Sequence, residues 1–230
     1  MQIWTFHAII KNYQKALWLK GHSFMTKIVF VTLMMADDMH KRHFPVDGNS
    51  LIEYSGETYY AINSVLAQTL KKDDNVKIIL LETNAGEKAG KKNAELFENE
   101  LNELNKAGAS ISYQIITSEF TGDKSKYKEL YKSLVKNLTE GAELYADITF
   151  GIKTLPILIL NALQFGEKFF DCSIGNVIYL KTEFKEGKIV EGSQCIFDIT
   201  PLYMLSSFTN NIECSSGERA ISALDALFEE

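Results

Sequence analysis

The chain has 230 residues, 46% of them hydrophobic, and its 30 acidic and 24 basic side chains give a net charge of −6. This length and composition suit one large globular domain, and the acidic excess argues against broad binding to duplex DNA. No apolar run approaches the roughly 20 residues of a membrane span, and three cysteines without metal-ligand spacing are typical of reduced thiols, so we expect a cytoplasmic protein that contacts no membrane.

The first 24 residues differ from the rest of the chain. They contain three lysines and no acidic residue, and they lack the apolar segment of a signal peptide. Met25 is followed by Thr26, Lys27 and then an apolar run from Ile28 to Val31, which is typical of the first strand of a domain. We therefore expect residues 1–24 to be a loosely attached extension, or Met25 to be the natural start.

From Lys27 onward, buried-strand patterns alternate with amphipathic helical patterns. In chain order, the predicted elements are strand Lys27–Met34, an irregular segment Ala36–Glu53, helix Glu57–Leu70, strand Lys77–Leu81, helix Lys91–Lys106, strand Ser112–Ile116, helix Lys124–Leu138, strand Leu144–Ile148, helix Leu155–Phe169, strands Val177–Phe184 and Lys188–Ile199, and helices Pro201–Phe208 and Glu218–Phe228.

This order of elements predicts an α/β fold. Four strand–helix units followed by a hairpin are typical of a doubly wound, mostly parallel, Rossmann-like sheet of about six strands with helices on both faces. Residues 25–200 would form this domain. Residues 201–230 would form a C-terminal helical segment that serves as a dimer contact, or as a linker to an effector domain outside this chain.

The most informative segment, Asp147–Pro156, connects the fourth strand to the next helix. It reads Asp-Ile-Thr-Phe-Gly-Ile-Lys-Thr-Leu-Pro. Open α/β sheets bind phosphate groups at such junctions, because a helix N-terminus presents free N–H groups and the positive end of a dipole. Lys153 and Thr154 lie at this end. The structural alternative is that Thr154 only caps its helix and Lys153 is only solvated.

The predicted topology places a second loop beside this segment. In a sheet of order 3-2-1-4-5 the first and fourth strands are neighbours, and their C-terminal ends flank a crevice. The chain has neither a dinucleotide-binding glycine fingerprint nor a phosphate-binding Gly-Lys-Ser loop, which argues against a classical NAD enzyme or P-loop NTPase. The predicted ligand-binding residues are Thr32, Leu33, Met34, Thr83, Asn84, Thr149, Phe150, Gly151, Ile152, Lys153 and Thr154.

Three segments resemble the CARF domains, the CRISPR-associated Rossmann-fold sensors. These are the opening strand Lys27–Leu33, the segment Tyr54–Leu66 and, most specifically, Asp147–Pro156, which is similar to the family pattern Asp-Ile-Thr-His-Gly-Phe-Arg-Ser-Leu-Pro. The chain departs from this pattern at Phe150, where His is common, and at Lys153, where Arg is common. Phenylalanine removes a possible polar contact, and lysine keeps the charge without the planar fork of arginine.

The resemblance implies a homodimer that binds cyclic oligoadenylate, the second messenger of type III CRISPR systems. A cyclic tetra- or hexa-adenylate with two-fold symmetry matches an isologous dimer in which each subunit offers the same crevice. The implied function is that of a standalone antiviral sensor, or of the sensory part of an effector. We expect no metal ion or other cofactor.

Two further interpretations stay open at this point. Some CARF domains are ring nucleases that cleave the messenger without metal, by orienting a ribose 2′-OH for attack on the neighbouring phosphate. Thr32 and Lys153 are the candidates for the positioning and charge stabilisation that this needs. A metal site within Asp37–His43, which has two histidines three residues apart beside two aspartates, is the other interpretation. Such polar runs are more often solvated, and we predict no metal site.

Overall fold

The computed structural model describes residues 25–34, 39–83, 87–119 and 122–228. The predicted extension 1–24 lies outside them. The strands are β1 (Thr26–Thr32), β2 (Val46–Asp47), β3 (Asn75–Thr83), β4 (Ser110–Ser118), β5 (Glu143–Asp147), β6 (Ser173–Lys181), β7 (Phe184–Lys185), β8 (Lys188–Ile189) and β9 (Cys195–Asp198). The α-helices are α1 (Ala61–Thr69), α2 (Glu87–Leu104), α3 (Lys124–Val135), α4 (Thr154–Phe169), α5 (Thr200–Asn211) and α6 (Gly217–Phe228).

The described residues divide into two units. Those up to Tyr203 belong to one compact unit, which contains all nine strands and helices α1 to α4. Residues 204–228 belong to the other, with most of α5 and all of α6. In the described part of the chain, no helix has both the length and the apolar character needed to cross a bilayer.

The main sheet has seven strands in the order β4-β3-β1-β5-β6-β9-β2. Neighbouring strands from β4 to β6 are parallel, and β9 runs antiparallel to β6. The predicted α/β class, the mostly parallel sheet and the order of its first five strands are confirmed. The expected number of strands, about six, was too low, because the two-residue strand β2 lies within the segment predicted to be irregular and pairs with β9.

The C-terminal hairpin differs from the prediction in its second strand. The predicted strand Lys188–Ile199 is divided into β8 and β9 by a turn at Gly192, whose φ of +74° is unfavourable for side-chain-bearing residues. Within the described ranges, strand β8 pairs only with β7, as a separate two-stranded ribbon.

Strand β6 begins at Ser173, four residues before the predicted strand. Gly175 and Asn176 have low strand propensity, which is why the prediction began at Val177. In the fold, the Tyr145 ring lies over Gly175 so closely that a Cβ there would be 2.4 Å from Tyr145 Cζ. The glycine therefore continues the strand and makes room for an aromatic ring on the neighbouring strand.

Helices cover both faces of the sheet, as predicted. Val31 of β1 belongs to an apolar core that includes Phe97 of α2, whereas its fully buried neighbour Phe30 faces the opposite side. On that second side α4 packs against β5, where a Cβ on Gly166 would lie 2.7 Å from Leu144 Cδ1. The C-terminal ends of β1 and β5 thus lie in the middle of a sheet covered on both faces.

Helix α1 begins later than predicted because a carboxylate from α2 binds the preceding residues. Glu100 is 3% exposed, and its carboxylate accepts hydrogen bonds from the backbone N–H groups of Tyr59 (2.7 Å) and Tyr60 (3.2 Å). The same carboxylate accepts from the amide of Asn63, at 3.0 Å. These bonds satisfy N–H groups at the start of the helix from outside it.

Candidate functional site

Thr32, at the end of β1, fastens the loop that follows β5. Its hydroxyl donates to the carbonyl oxygen of Asp147 at 3.2 Å and accepts from the backbone N–H of Phe150 at 3.0 Å. The side chain is fully buried. Thr32 was predicted to contact ligand and, in the ring-nuclease interpretation, to assist cleavage. In the structure, this hydroxyl is already bonded to the loop that follows β5, through Asp147 and Phe150.

A second set of hydrogen bonds holds the start of the same loop. One carboxylate oxygen of Asp147 accepts from the backbone N–H of Thr149 at 2.9 Å and also from the Thr149 hydroxyl. That hydroxyl in turn accepts from the backbone N–H of Leu180, in β6, at 2.9 Å. Because the Thr149 hydroxyl both donates and accepts within the protein, this predicted ligand residue also supports the loop.

The other carboxylate oxygen of Asp147 is buried and has no hydrogen-bond partner among the described residues. The residue is fully buried. Desolvation raises the pKa of Asp147 to about 6, against the lowering effects of the hydrogen bonds from Thr149 and of the N–H of Ile62 at the start of α1. The loop that follows β5 therefore begins at a carboxyl group whose pKa is close to neutral pH.

The sequence contains a second copy of this arrangement that sequence reasoning missed. Asp198-Ile199-Thr200 repeats Asp-Ile-Thr, and one Asp198 oxygen accepts from the Thr200 N–H (3.0 Å) and hydroxyl. The other Asp198 oxygen accepts from the side-chain amides of Asn49 (2.9 Å) and Asn176 (3.2 Å). The repeated tripeptide is the sequence signal that could have identified Asp147 as the residue that hydrogen-bonds to the start of its loop. The two aspartates differ in their second oxygen, because that of Asp147 lacks such partners among the residues that the structure describes.

Phe150 occupies the position where histidine is common in the CARF pattern. Its ring meets that of Tyr60 edge to face, with centroids 6.3 Å apart and planes at 89°, and it packs against the apolar core. The phenylalanine therefore anchors the loop to α1 through apolar contact.

Gly151 gives the loop its turn. Its φ is +81°, and a Cβ there would lie 2.9 Å from Cδ1 of the fully buried Leu155. Gly151→Ala should therefore cost more than the roughly 1 kcal/mol that a positive φ alone imposes. Gly192→Ala is the matched control, because its φ is +74° and a Cβ there would meet no atom within 4 Å. Chemical denaturation should show a larger loss for Gly151→Ala, and equal losses would contradict the predicted contact.

Lys153 lies on the side of the loop that faces solvent, and the next residue, Thr154, is half-buried. Lys153 is exposed, precedes α4 as its N-cap residue and makes no side-chain capping bond. Within the described ranges it has no ion-pair partner. The Thr154 hydroxyl oxygen is buried and makes no hydrogen bond to a described residue. Thr154 is the first residue of α4 and not its N-cap, so its hydroxyl does not cap the helix.

The remaining predicted residues lie deeper or further along the sheet. Leu33 is part of the core, and the half-buried Met34 accepts a 2.6 Å hydrogen bond from Asn93 through its carbonyl. Thr83 is buried at the end of β3, and Asn84 lies outside the described residues. Of the predicted set, those with exposed or half-buried side chains or backbone are Met34, Thr149, Phe150, Gly151, Ile152, Lys153 and Thr154.

The possible metal-binding segment is only partly described. Asp37 and Asp38 lie outside the described residues. His43 Nε2 lies 3.4 Å from a carboxylate oxygen of Glu53, and both side chains are exposed. No group of three potential metal ligands comes together in the described part of the chain.

Comparisons with known proteins give no family assignment. No family model matches the chain, and no curated protein matches it. Among solved structures, one match is phosphofructokinase-2 from Escherichia coli in complex with substrates and products, at 10% sequence identity and a TM-score of 0.32. The match covers 68% of this chain and 53% of that one, so the chain spans about half the length of that kinase.

Proposed function

We propose that the protein is a CARF-type sensor of type III CRISPR defence that binds cyclic oligoadenylate at the crevice between β1 and β5. The observation that best supports this is the exposed Lys153 at the N-terminus of α4, within the segment that resembles the CARF pattern. A phosphate placed there would meet both the ammonium group and the positive end of the helix dipole. The acidic net charge does not oppose binding, because the positive charge is local.

The internal hydrogen bonds of the loop favour such binding. Thr32 bonds the loop to β1 and Thr149 bonds it to β6, so hydrogen bonds within the protein support the shape of the loop. A preformed loop loses little conformational entropy when it binds, and more of the interaction energy then appears as affinity. In a two-fold homodimer the same loop would contribute twice to one ring, so that two Lys153 side chains would face its phosphates.

Lys153→Ala should weaken binding of cyclic tetra- or hexa-adenylate by at least about 100-fold. Hydrogen bonds to charged groups contribute about 1.5–3 kcal/mol each, and a symmetric dimer would lose two of them. Isothermal titration calorimetry at several salt concentrations should show weaker affinity and a shallower salt dependence. Lys153→Arg, which introduces the residue common in the family pattern, should retain binding.

Lys168→Ala is the matched control, because Lys168 is exposed in the last turn of the same helix. It should bind like the wild type. Equal affinities of the wild type and Lys153→Ala, or no binding of either ring by the wild type, would overturn the proposal.

Cleavage of the ring is the alternative outcome at the same site. Of its two candidate residues, Thr32 is buried with its hydroxyl engaged, whereas Lys153 reaches solvent. Prolonged incubation with each ring in EDTA, followed by chromatography, separates the two functions. Intact ligand would identify a sensor, and linear products would identify a metal-independent ring nuclease.

A further inference from the structure

Strand β4 forms one edge of the main sheet and is unusually unprotected. Among the residues that the structure describes, it pairs only with β3. It is nine residues long and reads Ser-Ile-Ser-Tyr-Gln-Ile-Ile-Thr-Ser, without a charge, proline or glycine. Edge strands normally carry charges, prolines or bulges, or are short, because free backbone groups otherwise pair with other chains. The opposite edge follows this rule, since β2 has only two residues.

The backbone of β4 shows which of its residues face outward. The N–H of Ser110 donates to the carbonyl of Asp74, just before β3, at 2.9 Å. Backbone groups point to alternate sides along a strand, so those of the even-numbered residues point toward β3. The backbone groups that point away from the sheet belong to Ile111, Tyr113, Ile115 and Thr117. In the described part of the chain, no strand pairs with them.

The side chains along this edge are apolar or neutral. Ile115 is 44% exposed, and Tyr113 beside it is half-buried against the core. Gln114 is exposed on the other face of the sheet. A chain of net charge −6 repels its own copies on average, but no charged side chain of β4 opposes contact here.

We propose that β4 pairs antiparallel with β4 of a second copy of this chain, about a two-fold axis at Gln114. Gln114 is the central residue of the strand, and this register places each outward-facing residue opposite another. Ile111 lies opposite the partner's Thr117, and Tyr113 lies opposite the partner's Ile115. The exposed isoleucine is thereby covered by an aromatic ring, a cross-strand pair worth about 0.2–1 kcal/mol and formed twice.

A second copy of this chain fits this edge better than an unrelated peptide would, because two identical strands can pair about a two-fold axis. Only a two-fold axis at the central residue uses all four outward-facing residues of both strands as hydrogen-bonded pairs, with Gln114 opposite the partner's Gln114 as a non-hydrogen-bonded pair. The inference goes beyond the proposed function and does not depend on it. Strand β3 separates this edge from β1, so the pairing leaves the β1–β5 crevice open.

Disulfide cross-linking tests the register in the full chain. In the Cys214→Ser background, which removes the exposed native thiol, Gln114→Cys should form a disulfide-linked dimer under mild oxidation. Non-hydrogen-bonded antiparallel pairs have Cα atoms about 4.5 Å apart, within the range of disulfides. Ser112→Cys is the matched control, because the two copies of residue 112 would lie about 14 Å apart and should not cross-link.

Analytical ultracentrifugation supplies an independent measurement. Gln114→Lys and Gln114→Glu should each weaken self-association several-fold, because like charges would face each other, and an equimolar mixture should restore it. Gln68→Lys, on the exposed surface of α1, should have no effect. A monomeric wild type, polydisperse aggregates, or equal cross-linking at positions 112 and 114 would overturn the inference. Failure to bind cyclic oligoadenylate would overturn only the proposed function, since no residue of β4 belongs to the crevice.

Discussion

Lys27→Met is expected to lower the free energy of unfolding by about 3–5 kcal/mol, the loss typical of removing one partner from a buried ion pair. Lys27 is the second residue of β1, at the opposite end of the strand from Thr32, and its side chain is only 3% exposed. Methionine has nearly the same length and apolar stem, so the substitution removes the charge with little change in packing. Because domains of this kind are stable by about 5–15 kcal/mol, the loss should be easy to measure.

The size of the effect follows from what surrounds the Lys27 ammonium group. It lies 2.9 Å from the Asp74 carboxylate and 3.6 Å from that of Glu143, and it donates to the Thr69 carbonyl at 2.6 Å. The hydroxyl of Tyr145 donates to Glu143 at 3.0 Å. Thr69 is the last residue of α1, Asp74 directly precedes β3, and Glu143 is the first residue of β5. Removing the cation therefore leaves Asp74, itself 3% exposed, as an uncompensated buried anion.

Chemical denaturation of two comparison variants tests this explanation. Lys41→Met breaks a 3.9 Å pair with Glu103 whose side chains are 42% and 72% exposed, and should cost less than about 1 kcal/mol. The double variant Lys27→Met/Asp74→Asn should recover part of the loss, because asparagine has no charge and still accepts from the N–H of Lys71. Similar losses for Lys27→Met and Lys41→Met would contradict the prediction.

The central strands could be predicted because each is an apolar run that is buried on both faces. The strand order followed from general rules for doubly wound sheets, and it correctly placed Thr32 beside the loop after β5. Strand β2 could not be predicted, because two residues give no pattern and their pairing partner, β9, lies about 150 residues further along the chain.

The roles of the loop residues were beyond sequence reasoning for a different reason. In the sequence, a hydroxyl group in a strand-to-helix loop is a candidate for hydrogen bonding to a ligand. Whether it is already hydrogen-bonded within the protein depends on residues that are distant in the chain. Thr32 and Phe150 are 118 positions apart, and Thr149 and Leu180 are 31 apart. Phe150 likewise turned inward because the ring of Tyr60 provides a place for it. The exposure of Lys153 could be predicted, because a long charged side chain at the start of a helix reaches solvent without a partner that is distant in the chain.

Asp147→Asn is expected to raise the free energy of unfolding above that of the wild type, and to raise it more at pH 8 than at pH 5. The gain at pH 8 should exceed the gain at pH 5 by about 1–2 kcal/mol. Desolvation raises the pKa of Asp147 in the folded state to about 6, from an ordinary value of 3.8. A raised pKa means that the fold disfavours the ionised carboxylate, so stability is lost as pH rises through the folded pKa. Asparagine keeps an oxygen to accept from Thr149 and has no charge to lose or gain.

Asp198→Asn is the matched control, because the same substitution is made in the same tripeptide. Both Asp198 oxygens already accept hydrogen bonds, and an asparagine amide would direct its N–H groups at those of Asn49 and Asn176. This variant should lose about 1–3 kcal/mol at both pH values. Denaturation of the three proteins at pH 5 and pH 8 measures the differences directly, and effects of other titrating groups cancel between them.

The comparison separates two explanations for the buried Asp147. If the unpartnered oxygen destabilises the fold, Asp147→Asn should be more stable than the wild type at high pH. If the N–H of Ile62 or a group outside the described residues satisfies that oxygen, Asp147→Asn should lose stability at both pH values, as Asp198→Asn does, and the prediction fails. In the first case the loop at the proposed ligand site would hold a negative charge above about pH 6. Binding of an anionic ring should then strengthen as pH falls toward 5, and Asp147→Asn should remove that dependence.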